Sequence, residues 1–212
     1  MRQKDESIGF DNEIVSNLPR TLSATRAGVF GVVSICQLDV TDIREVEQIL
    51  CFVASERSLV GTVDKHLKTS ASERVVPVHS QLRTLGLMNF VERRRNDGQK
   101  KLFFDICPGR DGFRSTAFSK WFVLFLEKAN AREPRTSFHS FRHCFRDALR
   151  SARVDREIAM MLGGWGNGSK SGLDVADYYG RGFESSVLAE EIEKLSFEHI
   201  NALRALTCSL ER

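Results

Sequence analysis

Apolar residues recur at helical spacing through the second half of the chain. Phe138, Phe141, Phe145, Leu149 and Ala152 come every three or four positions and so share one side of a helix. His139, Arg142, His143 and Arg146 occupy a different sector, and His139 and Arg142, one turn apart, can address a single ligand. Leu82, Leu85, Leu87, Met88 and Val91 predict a helix over 79–95, and the apolar run 118–129 predicts another, largely buried. VDREIAMMLGG (154–164) reads as a helix with Asp155 at its N-cap and Gly163–Gly164 at its end. LDVADYYG is a short helical stretch, and two more fill 185–211, divided near Ser196 or Phe197.

Strand signals lie nearer the front. Ile49 to Val53 form the body of one strand, after a turn in VTDIREVEQ. A second is expected around Thr62 to Thr69 and a third at Arg74 to Val78, joined by the polar KTSASE into a small antiparallel sheet. Pro77 marks the third as an edge strand or a strand end. KLFFDI (101–106) reads as extended, whereas the glycine-interrupted run 27–38 does not separate helix from strand. The fold class is therefore α+β, mainly α: a small three-stranded antiparallel sheet followed by a helical bundle. Residues 1–33 form an atypical N-terminal segment, polar and irregular up to 26, and 34–212 the main domain.

Composition narrows this picture only a little. With 212 residues, 42% hydrophobic and 28% charged, the chain suits one substantial core. Its net charge of +3 permits nucleic-acid binding if the cations cluster on one surface. The five cysteines are widely spaced with no CxxC pair, so neither a disulfide framework nor a zinc site is expected. The sequence holds no apolar run of membrane-spanning length and no signal-peptide pattern, so a cytoplasmic protein is expected.

Taken singly, the polar residues have ordinary readings: a solvated basic face, a packed tryptophan, two core tyrosines. Their order is more specific. HSFRH (139–143), LGGW ending at Trp165, and a tyrosine followed by Gly180 resemble the tyrosine recombinase, or phage integrase, family over roughly residues 35–195. The resemblance implies the catalytic domain of such an enzyme without the N-terminal DNA-clamp domain. It implies double-stranded DNA as partner, a homo-oligomer on DNA, and strand cleavage and rejoining through a 3′-phosphotyrosyl intermediate with no metal or other cofactor.

It also assigns roles. Tyr179 would be the nucleophile, with Tyr178 the rival; Arg142 would hold the phosphate, and His139 would hydrogen-bond a non-bridging oxygen or assist proton transfer. Trp165 would supply an indole N–H and an apolar wall, and Lys68, with Lys65 as rival, would protonate the leaving oxygen. Arg142, His143 and Arg146 would bind DNA. One departure stands out. Aligning SICQLDVTDI (34–43) with the family's corresponding segment implies an arginine near position 31, where this chain has Gly31, with Arg26 and Arg20 further back. An impaired enzyme, or a non-catalytic DNA-binding remnant, is the alternative that this departure raises; a plain helical structural protein is the remaining one.

Overall fold

Glu47 and Gln48 both take positive φ (51° and 65°), closing a two-residue hairpin between strands β1 (Ile43–Val46) and β2 (Ile49–Ala54). Strand β3 (Arg74–Pro77) pairs antiparallel with β2, giving the order β1-β2-β3 with Cys51 opposite Pro77 and Ala54 opposite Arg74. The computed structural model describes residues 31–62, 64–67, 73–165 and 182–196. The sheet is three-stranded as expected, but its membership differs. Ile43–Val46 is a strand, and residues 62 and 64–67 are not. The reason lies in long-range charge: Lys65 turns inward to Asp42 (2.8 Å) and Asp39 (3.7 Å) instead of alternating along a ladder. Pro77 ends the edge strand β3, where its missing N–H costs no ladder bond.

Before the sheet come helix α1 (Val32–Cys36) and a 3-10 turn (Val40–Asp42); after it come α2 (Ser80–Thr84) and α3 (Leu87–Asn96). The single helix expected over 79–95 is thus two, divided where Gly86 takes φ 85°, a conformation that glycine adopts without steric cost. KLFFDI is not extended. Lys101 makes one bridge to Asp39, and the following turns bury Leu102, Phe103 and Ile106.

Among the described residues four more helices follow: α4 (Arg114–Lys128), α5 (Ser140–Ser151), α6 (Arg156–Gly163) and α7 (Ser185–Glu193). Phe118, Phe122 and Leu126 bury one side of α4, but Leu124 is 55% exposed, so the helix is less enclosed than its composition implies. Phe138, Phe145 and Leu149 are buried as their spacing predicts, and Phe138 meets Phe118 and Phe122 edge-on at 4.9 and 5.3 Å between ring centres. Helix α7 is held at both ends. Glu47 accepts from the Ser185 N–H (2.8 Å), while Glu193 accepts from the Ser80 N–H and Oγ–H (2.6 Å each). The buried His79 ring accepts at Nδ1 from the Gln81 N–H (3.0 Å), which leaves Nε2 to donate to the Leu195 carbonyl (3.0 Å).

Candidate functional site

The site forms where α6 ends. Asp155 caps the start of that helix, accepting from the backbone of Glu157 and Ile158, and Gly164 stops it in the left-handed region at φ 58°. The Gly164 N–H then returns to the Met161 carbonyl (3.1 Å) and the Trp165 N–H to the Met160 carbonyl (3.0 Å). This Schellman arrangement satisfies two of the terminal carbonyls. The next two are taken by arginines from other elements. Arg142 of α5 donates from Nη2 to Gly163 O (2.5 Å), and Arg74 of β3 donates from Nε to Leu162 O (3.3 Å).

Both glycines of LGGW are needed for close approach. A Cβ on Gly163 would sit 2.0 Å from the Trp165 ring, and one on Gly164 would sit 2.6 Å from Nη1 of Arg74. Trp165 therefore lies flat on the helix end. It packs against Phe145 (6.0 Å between centres) and carries the guanidinium of Arg142 at 4.9 Å and of Arg146 at 5.0 Å from its own centre. The phenylalanine side of α5 anchors that helix while its arginines stack on the tryptophan. Core packing and site chemistry thus come from two sectors of one element.

His139 lies just before α5, in a tight turn whose i+3 bonds include the Arg142 N–H to the His139 carbonyl (2.9 Å). Helix α5 therefore begins at Ser140, with His139 as its N-cap residue. The His139 ring is exposed and meets His143 edge-on at 5.3 Å. Partial burial, with the neighbouring His143 and Arg142 charges, holds its pKa below the ordinary histidine value. Arg142 is also held below its usual value by burial. Arg74 comes down to about 10, through burial first and the charge of Arg142 second. Both remain cationic at neutral pH.

Of the expected site residues, Arg142 and Trp165 come together, with Arg146 on the same ring and His139 and His143 adjoining along the chain. Lys68, Tyr178 and Tyr179 lie outside the described residues, as do Arg20 and Arg26. The rival Lys65 is buried in ion pairs with Asp39 and Asp42, which removes it as a proton donor to an external leaving group. Gly31 is extended (φ −65°, ψ 157°), and a Cβ built there meets nothing within 4 Å. Sequence reasoning missed Arg74. Its only signal was its place at the head of RVVPV, where a solvated strand-end charge is the ordinary expectation.

No protein-family model matches the chain, and a search of curated proteins finds no match. Among solved structures the chain is similar to the integrase from mycobacterium phage Brujita, with 18% identity and a TM-score of 0.48. That similarity covers 95% of this chain and 64% of the other, so the chain spans less than two thirds of that protein's length. No helix among the described residues is long and apolar enough to cross a membrane.

Proposed function

We propose that this chain is the DNA-cleaving and rejoining domain of a tyrosine recombinase, acting on double-stranded DNA through Tyr179. The observation that carries the reading is the meeting of Arg142 with Trp165 across 23 residues of chain at the end of α6. A guanidinium and a flat aromatic wall at one helix terminus suit a phosphodiester, because the fork donates two N–H groups to the non-bridging oxygens.

In the reaction, the Tyr179 oxygen attacks phosphorus and forms a 3′-phosphotyrosyl bond while the bond to the 5′-oxygen breaks. The tyrosine proton passes to a base, for which neutral His139 is the candidate, and Lys68 protonates the departing 5′-oxygen. Because the new ester retains the phosphoryl linkage, religation needs no external energy source. Arg142 stabilises the charge that builds on the non-bridging oxygens. The reading also includes Arg146 and His143 as contacts to the DNA backbone, and assembly of copies on DNA.

A second reading, a DNA-binding remnant without turnover, is favoured by Gly31, which supplies no guanidinium. The test is a duplex nicked close to the cleavage position, so that the short leaving strand diffuses away and traps the covalent complex. The expected result is a complex stable to denaturant, which Arg142→Ala forms about 10²–10³ more slowly. DNA bound without any covalent complex would establish the remnant instead.

A further inference from the structure

His139 and His143 lie one turn apart at the start of α5, and their rings meet edge-on with centres 5.3 Å apart. We propose that these two imidazoles form a bidentate site for a late transition-metal dication such as Zn²⁺, and that metal bound there stops DNA strand cleavage. The site stands on the geometry of α5. The inhibition rests on the function proposed above, in which His139 is the base.

Three observations carry the site. First, His139 is the N-cap residue, yet its backbone is helical (φ −62°, ψ −23°). The i,i+4 relation of a regular helix, with Cβ atoms about 5–6 Å apart, therefore extends to it. Second, two imidazoles sharing one tetrahedral Zn²⁺, with Zn–N bonds of about 2.0–2.1 Å, have their centres about 5 Å apart. The observed 5.3 Å is close to that, so side-chain rotation alone can turn one nitrogen of each ring toward a common point. Third, both residues are exposed, and no hydrogen bond among the described residues engages either ring. His79 is the contrast: it is buried, and its two nitrogens meet the Gln81 N–H and the Leu195 carbonyl.

Charge selects the metal. The pair sits at the positive end of α5, on the sector whose Arg142 and Arg146 stack on Trp165, and neutral imidazoles bring no negative charge to offset them. A hard ion such as Mg²⁺, which binds through oxygen ligands and gives up water reluctantly, gains too little there. Zn²⁺, Ni²⁺ and Cu²⁺ bond well to imidazole nitrogen and fit the pair. Among the described residues no group of three or more histidines, cysteines or carboxylates could hold a metal, so the other positions stay with water. That makes the bound ion exchangeable, unlike a closed structural zinc. Coordination occupies the lone pair with which His139 would accept the tyrosine proton.

The test uses the full chain without an affinity tag, with Cys107, Cys144 and Cys208 replaced by serine so that their thiols do not compete. Imidazole signals are followed by NMR as zinc chloride is added, with magnesium chloride as the control. His139 and His143 are expected to move together along one zinc-binding curve and to ignore magnesium. His143→Gln should weaken the zinc response of His139 by about tenfold or more. Zinc that shifts neither ring, or a His139 response of full affinity in His143→Gln, would overturn the site.

The second arm measures covalent complex formation on the nicked duplex with and without saturating zinc. Zinc is expected to slow the reaction by about 10²-fold or more, and the slowing to disappear in His143→Gln whatever that variant's own rate. Equal slowing with and without His143 would overturn the inhibition. If no covalent complex forms even without zinc, the proposed function fails, and the imidazole titration decides the metal site by itself.

Discussion

The flank of the sheet and the end of α6 handle charge in opposite ways. Beside β1, Asp39, Asp42 and Asp64 face Lys65, Lys101 and Arg114. Contacts include Lys65–Asp42 at 2.8 Å, Lys101–Asp39 at 3.0 Å, Lys101–Asp64 at 2.5 Å and Arg114–Asp64 at 2.8 Å. Ser58 and Thr62 complete the shell of Asp39 with hydrogen bonds at 2.7 and 2.9 Å. Burial raises the Asp42 carboxyl despite Lys65, while hydrogen bonds from Lys101 and Arg114 hold Asp64 low against the opposing effect of burial. At the α6 end, by contrast, cations meet backbone carbonyls, an indole face and one another. The first region balances charge within itself and organises the chain around β1. The second gathers arginines at a helix terminus whose carbonyls favour cations. A lysine's position in the sequence does not tell these regions apart: Lys65 belongs wholly to the balanced one.

The largest expected effect on stability lies in the balanced region. Asp39→Ala leaves Lys65 and Lys101 buried with one carboxylate fewer, which should cost about 3–5 kcal/mol in urea unfolding. Loss of under 1 kcal/mol would erase the distinction between the two regions. At the α6 end the large effect is on rate. Arg142→Ala should slow covalent complex formation by about 10²–10³, and lower the salt slope of DNA binding by about 1. Gly31→Arg should leave the rate unchanged, because residue 31 is extended at the head of α1 and its Cβ meets nothing within 4 Å. A marked gain in rate would mean that position 31 reaches the site.

Gly163→Ala probes the packing that seats Trp165. The added methyl would fall 2.0 Å from the ring, so the tryptophan must move, at about 1–3 kcal/mol in thermal or urea unfolding. Tryptophan fluorescence should shift in the same variant, and an unchanged spectrum would contradict the packing described. The smallest effect concerns His139. Its pKa lies below the ordinary value in the free protein, and a bound phosphodiester would raise it. DNA binding should then take up a proton. Affinity is greatest below the free-state pKa and is lost as pH rises through the raised pKa of the complex. His139→Gln should flatten that profile, and a profile that it leaves unchanged would assign the titration elsewhere.

Features set by neighbouring residues were legible in the sequence. Asp155 and the paired glycines bound α6, and the phenylalanine spacing set the buried side of α5, because caps and periodicity are local. Pro77 ended an edge strand for the same reason. What failed depended on distant partners. Thr62 to Thr69 had a strand-like composition, but Lys65 is drawn to aspartates about two dozen residues earlier, and no local pattern reports that. Gly86 split a helix whose apolar spacing continued across it. Arg74 escaped notice because its partners, Leu162 O and Arg142, lie in α6 and α5, far along the chain. Arg142 and Trp165 were legible as a pair through the order of motifs, and their contact is seen in the structure. The roles assigned to Lys68 and Tyr179 remain part of the proposal.

The central claim is that phosphoryl transfer runs through Tyr179 beside the Arg142 cluster, and the chain contains only two tyrosines, Tyr178 and Tyr179. Tandem mass spectrometry of the trapped protein–DNA complex reads the attachment point directly. The account predicts a nucleotide remnant on Tyr179, lost in Tyr179→Phe and retained in Tyr178→Phe. A remnant on any other residue, or a complex that survives Tyr179→Phe, would contradict it.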